Sequence, residues 1–176
     1  MTANHNPTAS IRIQVRHDDF DLAAEYAALR AASHNPGAIV IFTGLVREFL
    51  HAGHAVADNS EEQSLTLEHY PGMTEQALQK IAEQAMSRWP LEAICIIHRV
   101  GTLLPGDQIV LVAASSAHRN AAFESADFMM DYLKTSAPFW KKQRAGSEGH
   151  WVQSRESDYE AAARWQQANL SVNKKE

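Results

Sequence analysis

Ile11, Ile13 and Val15 alternate with Arg12, Gln14 and Arg16, and this period of two predicts a half-buried strand early in the chain. Asp18 or Asp19 is then placed to cap a helix whose Leu22, Tyr26 and Leu29 share one face. Asn35-Pro36-Gly37 ends that region with residues that resist helical backbone. Ala38 to Thr43 reads as a buried strand and Leu65 to His69 as another, with the polar, aperiodic stretch from Glu48 to Gln63 as a loop between them. After a Pro71-Gly72 turn, Met73, Ala77, Leu78, Ile81, Ala85, Met86 and Trp89 mark one helical face until Pro90 stops the run. Glu92 to His98 and Gln108 to Ser115 are apolar runs joined through Gly101 and the turn sequence Leu104-Pro105-Gly106-Asp107, which predicts an antiparallel pair. A third main helix is expected from about Asn120 to Lys134, closed off ahead of Pro138. The tail offers a short strand at Trp151 to Ser154 and a helix from about Ser157 to Trp165.

Helices interspersed with antiparallel strand pairs predict an α+β fold, not a doubly wound parallel sheet. At 176 residues the chain has the size of one domain, with a polar extension over 1–10 and a frayed tail over 167–176. Such a chain buries roughly 70% of its unfolded surface, so a core can hold it without metal or disulfide staples. Cys95, the one cysteine, cannot form an internal disulfide, and Ile94, Ile96 and Ile97 around it read as an inert core. No apolar run approaches the roughly 20 residues of a membrane span, and the opening MTANHNPTAS lacks a signal peptide's basic and apolar regions. A cytoplasmic setting with no membrane partner is expected. The net charge of −5 argues against a nucleic-acid partner, and no glycine-rich phosphate loop is present.

Within this acidic chain, Tyr132 to Ser147 carries Lys134, Lys141, Lys142 and Arg144 with no carboxylate between them, a candidate anion site. His118-Arg119 lies where a strand gives way to a helix, whose N-terminal N–H groups and positive dipole end favour an anion such as phosphate. The plainer alternative is that both residues pair with carbonyls or carboxylates. Lys134 falls at the other end of that helix, where a cation is stabilising in any protein. Lys141 follows Ala137-Pro138-Phe139-Trp140, read as a rigid aromatic turn able to hold the amine against an apolar wall, with Lys142 and Arg144 supplying neighbouring charge. Both effects favour the neutral amine, the form that can act as a base or nucleophile. A solvated basic loop is the competing reading. Arg47, in Gly44-Leu45-Val46-Arg47, is a further candidate anion ligand, and Arg155 a weaker one beside Glu156 and Asp158. His51 and His54 lack the ligand set of a zinc site, so no metal is expected, and Ser115, Ser116 and His118 lack a nucleophile elbow. Trp140 and Trp151 read as packing groups.

Phe42-Thr43-Gly44-Leu45-Val46-Arg47, Leu67-Glu68-His69-Tyr70-Pro71-Gly72-Met73, His98-Arg99-Val100-Gly101, Ser116-Ala117-His118-Arg119, and Asp131 to Lys134 through Pro138-Phe139-Trp140-Lys141 occur in one order along the chain. Together, over about Gly37 to Trp165, they closely resemble the large, catalytic subunit of molybdopterin synthase, the MoaE family. The resemblance implies an α/β-hammerhead-like fold with antiparallel strands and three main helices. It also implies a sulfurtransferase that converts cyclic pyranopterin monophosphate, precursor Z, into molybdopterin by installing two dithiolene sulfurs. Each sulfur would arrive as a thiocarboxylate on the C-terminal Gly-Gly of a small ubiquitin-like carrier, in a heterotetramer built on a homodimer of large subunits. Neither a metal nor a cofactor is implied.

By the same resemblance Lys134 and Lys141 match the catalytic lysines, and Leu45, Val46, Arg47, His118, Arg119, Lys142 and Gln143 match substrate-pocket positions. Arg155 matches an arginine reaching a neighbouring subunit's pocket. Lys134 is expected to activate the thiocarboxylate carbonyl or move protons, and Lys141 to stabilise charge on the pterin or its phosphate. Many relatives place an acidic residue where this chain has Gln143. A noncatalytic anion-binding or partner-docking module is the alternative from another class.

Overall fold

The computed structural model describes residues 9–48, 63–145, 148–152 and 156–172. In chain order these form β1 (Ser10–Arg16), α1 (Leu22–Ala32), β2 (Ala38–Leu45), β3 (Gln63–His69), α2 (Met73–Arg88) and β4 (Leu91–Arg99). There follow β5 (Gly101–Leu103), β6 (Gln108–Ser116), α3 (Arg119–Ser136), β7 (Phe139–Ala145), β8 (Glu148–Val152) and α4 (Glu156–Val172). The strands make two four-stranded sheets, β1-β4-β6-β2 and β5-β3-β7-β8.

The central strands of the first sheet, β4 and β6, are buried on both faces, which explains their continuous apolar runs. On β4, Ile94 and Ile96 face a core shared with Leu78, Ile81 and Ala85 of α2 and Phe128, Met129 and Leu133 of α3. The alternate residues Ala93, Cys95 and Ile97 pack with Phe20 and with Leu29 of α1 on the other side. Burial raises the Cys95 thiol above its ordinary pKa, consistent with an unreactive core residue. Pairing of β4 with β6 is antiparallel, as the sequence predicts, but β1 joins β4 in parallel, so the sheet is mixed. The α1 cap is Asp21, not Asp18 or Asp19: its carboxylate accepts the Ala23 and Ala24 N–H groups at 2.8 and 3.2 Å. Phe20, buried against the sheet, delays the helix start.

Gly101 carries the chain from one sheet to the other. Its φ of +87° suits glycine, and a Cβ there would lie 2.7 Å from Nδ1 of His17. The turn sends β5 away from β4 to pair with β3, leaving His98 and Arg99 at the joint between the sheets. The aromatic turn and basic loop expected after Pro138 is instead strand β7, paired on both sides with β3 and β8. The tail strand lies earlier than expected, at Glu148–Val152, and α4 extends beyond Trp165 to make a fourth main helix.

α4 packs antiparallel to α3. Asp158 meets Lys134, whereas Arg164, further along α4, meets Asp131 and Asp127 earlier in α3. Asp131 also accepts the Trp165 indole N–H at 2.8 Å, and Trp165 packs edge-on to Phe128 and Trp89. These contacts place the first turn of α4 beside the last turn of α3.

Candidate active site

The end of α3, the strands β7 and β8 and the start of α4 enclose a cleft of about 470 Å³. Lys134 and Lys141 both line it, together with His98, Phe139, Trp140, Trp151 and Tyr159. The two lysines reach it by different routes. Lys134 projects from the last turn of α3 and is 47% exposed, with its ammonium 3.6 Å from the Asp158 carboxylate. Lys141 comes from the inner face of the second sheet, because its cross-strand neighbours are Leu67, which is buried, and Val152. Burial lowers the Lys141 amine from its ordinary value; Asp158 opposes that shift and Lys134 adds to it.

Alternation along β7 separates residues that adjoin in sequence. Phe139, Lys141 and Gln143 take the inner side, whereas Trp140, Lys142 and Arg144 are exposed. Lys142 therefore does not crowd Lys141: its ammonium lies 5.7 Å from the Trp151 ring centre, and its stem passes close to Gly149. The positive charge that acts on Lys141 is that of Lys134, not the one expected from Lys142 and Arg144. Gln143 shares the Lys141 face two residues on and brings no carboxylate to it.

His98 is the residue of this site that the sequence hid, read there as the last position of an apolar strand. It is 3% exposed, and its ring stacks on Phe139 at 3.8 Å between centres, 20° from parallel. Its Nδ1 lies 2.8 Å from the Arg99 carbonyl oxygen, which can only accept, so Nδ1 carries the proton. Burial first, then the Lys141 and His69 charges, lower its pKa to about 4 against an opposing hydrogen bond, leaving the ring neutral near pH 7. Trp140 and Trp151, expected as packing groups, are about half exposed at the cleft. Tyr159 lines the cleft and Asp158 adjoins it through Lys134, two residues to which the sequence gives no part in the site.

The remaining candidates lie elsewhere in the single chain. β6 ends at Ser116 and α3 folds back over the same sheet, so His118 and Arg119 sit exposed at the start of α3 as expected. Lys134 lies fifteen positions beyond Arg119 along the helix, a span of about 22 Å, so one chain does not bring them together. Arg47 is exposed just beyond β2, at the end of the sheet towards which α3 runs, and Leu45 is exposed beside it. Val46 is instead a core residue: its N–H donates to Asp107 and its carbonyl accepts from Gly106, pinning β2 to the turn before β6. Arg155, His51 and His54 lie outside the described residues. Among the described residues no cluster of three or more His, Cys, Asp or Glu is placed to hold a metal ion, and no helix is long and apolar enough to cross a membrane.

The family model described as MoaE protein matches residues 15–136. The molybdopterin synthase catalytic subunit of Vibrio cholerae serotype O1 is 50% identical over 155 residues, covering 88% of this chain and 98% of that one. Among solved structures, molybdopterin cofactor biosynthesis protein E from Burkholderia multivorans superposes with a TM-score of 0.73 at 50% identity, over 89% of this chain and 97% of that one. A chain from the protein–protein complex of subunits 1 and 2 of molybdopterin-converting factor from Helicobacter pylori, 20% identical, shares the fold with a TM-score of 0.62, over 82% of this chain and 91% of that one. With its motifs in family order and its fold and length matched, this chain belongs to the MoaE family.

Proposed function

We propose that this chain is the catalytic subunit of a molybdopterin synthase, working in the cytoplasm with a small sulfur-carrier subunit, and that the cleft holding Lys134 and Lys141 is where sulfur is transferred. The observation that carries this reading is the convergence of two amines, from an α-helix and from a separate sheet, on one partly desolvated space. Both reactants are anionic, a thiocarboxylate tail and a phosphorylated pterin, and cations in a cleft of reduced dielectric offset their mutual repulsion. The carrier's sulfur forms a bond to a pterin carbon as the oxygen substituent on that carbon leaves with a proton, and water then breaks the carrier's carbon–sulfur bond, releasing the carrier as a carboxylate and leaving the sulfur on the pterin.

The surroundings of the two amines favour a division of labour opposite to the one expected from the sequence. Lys141, desolvated and lowered in pKa, gives up and takes back a proton more readily than an ordinary lysine. Lys134, half exposed and beside Asp158, is suited to act as fixed positive charge on the tail carbonyl or the phosphate. Arg47 would reach the phosphate from the same end of the sheet.

His118 and Arg119 join this site only if a second copy brings them. Phe42 on the edge strand β2 and Phe123 on α3 are large exposed apolar side chains, a surface suited to a second copy. A two-fold axis that laid two α3 helices antiparallel would put the start of one beside the end of the other. Arg155 would act in the same manner across the interface.

Purified protein with thiocarboxylated carrier should convert precursor Z, and unactivated carrier should not. Lys134→Ala and Arg119→Ala homodimers should each be impaired, and mixing them should restore turnover by forming one intact site per mixed dimer. No conversion by the wild type, with fold and carrier binding intact, would favour the noncatalytic docking module.

A further inference from the structure

We propose that His98 is a positioning residue for Lys141, its ring stacked on Phe139 so as to fix the start of β7 and wall the cleft beside the amine. The inference rests on the reading of Lys141 as a participant in sulfur transfer, and it names a residue for which that reading has no role.

His98 is the last residue but one of β4 in the first sheet, and Phe139 opens β7 in the second, so their stack ties the two sheets together at the cleft. The Nδ1–H bond to the Arg99 carbonyl holds the ring in its plane, and burial removes the freedom to leave it. A second clamp acts one residue earlier: the buried Thr74 hydroxyl donates to the Pro138 carbonyl at 3.3 Å while accepting the Tyr70 N–H at 3.2 Å. Lys141 lies two residues beyond Phe139 on the same side of the strand, about 7 Å further along. A strand start held from two sides leaves the amine little freedom of position. Loss of the ring would let Phe139 relax and water enter beside Lys141, and displacement by even 1 Å weakens catalysis strongly. A neutral ring also suits this position, since a charged imidazole would face Lys141 and His69 together.

The test separates positioning from ordinary core packing by observing the Lys141 amine itself. The full-length chain, reductively methylated with carbon-13 and with the Lys141 signal assigned through Lys141→Arg, is titrated by NMR as wild type, His98→Ala and His98→Phe. Turnover is measured in parallel on unmodified protein with thiocarboxylated carrier. In His98→Ala the Lys141 titration should move up towards the ordinary lysine value, and kcat should fall about tenfold while KM for the carrier changes by less than about twofold. His98→Phe, which keeps a flat ring against Phe139, should recover most of both properties. An unchanged Lys141 titration in a folded His98→Ala protein would overturn the inference, and so would a folded His98→Phe protein as impaired as the alanine variant. Should His98→Ala not fold, the phenylalanine variant decides alone by the same two readings. If Lys141→Ala keeps full turnover, the catalytic reading fails by itself, and the titration still reports whether His98 places the amine.

Discussion

The Lys134 ammonium lies 3.6 Å from the Asp158 carboxylate, so the first turn of α4 supplies the counter-charge for the last turn of α3 at the mouth of the cleft. The same carboxylate acts on Lys141, opposing the fall in its pKa that burial and Lys134 produce. One acidic side chain thereby balances two amines in different surroundings.

Asp158→Asn should lower the Lys141 titration further, since it removes the group that raises it and leaves burial and Lys134 unopposed. If catalysis uses the neutral amine, the rise of kcat/KM with pH should then reach its midpoint at a lower pH than in wild type. Gln143→Glu, adding a carboxylate on the Lys141 face, should move that midpoint up. Stability should change by less than about 1 kcal/mol in Asp158→Asn, because the Lys134 side of the pair is half exposed and screened by solvent. A pH–rate profile and a urea melt check both expectations.

Asp131 should matter to the site without touching it. Only 9% exposed, it accepts hydrogen bonds from Arg164 at 2.6 Å and the Trp165 indole at 2.8 Å, anchoring α4 on α3. Asp131→Ala removes the acceptor of the Trp165 indole and one of the two carboxylates that hold Arg164, and should cost about 1–3 kcal/mol by denaturant unfolding. Hydrogen exchange should quicken along α4, and turnover should fall because Asp158 and Tyr159 lose their fixed place at the cleft. Protection of α4 equal to that in wild type would show that the helix is held by other contacts.

His98 should also mark the acid limit of stability. Its folded pKa of about 4 lies below the ordinary 6.5, so between these values the unfolded chain binds a proton that the folded chain refuses. The associated stability is fully present above about pH 6.5 and is lost as pH falls through about 4, to the extent of about 3 kcal/mol. Urea unfolding of wild type and His98→Phe from pH 7.5 to 4 should show a steeper loss in wild type. Parallel curves would contradict this assignment.

The strands β1 and β3 and the helices α1 to α3 are legible because apolar side chains repeat the period of a buried face, and β2, β4 and β6 because they are apolar runs of strand length bounded by turn residues. β7 was not, since Lys141 and Gln143 are polar on its inner side while Lys142 and Arg144 are polar on its outer side, so no alternation of apolar and polar remains. With only three residues, β5 is too short to carry a period at all. Lys134 and Lys141 could be picked out as chemical residues, and Lys141's desolvation was foreseen, though its cause is a strand's inner face and not a turn. His98 closes the apolar run Glu92 to His98 and stands in a family motif, but neither reading gives it a chemical role. The available signal was a titratable ring ending an apolar strand just before a glycine turn, and only the stack across two sheets gives that signal meaning.

The central claim is that Lys134 and Lys141 form one site, and the kinetics of Lys134→Ala, Lys141→Ala and the double variant with thiocarboxylated carrier and precursor Z test it most directly. Each single change should lower kcat/KM by about 100-fold or more. The double variant should fall much less than the product of the two losses, as expected of groups that act together. Losses that multiply in the double variant, or a single variant within about twofold of wild type, would contradict the account.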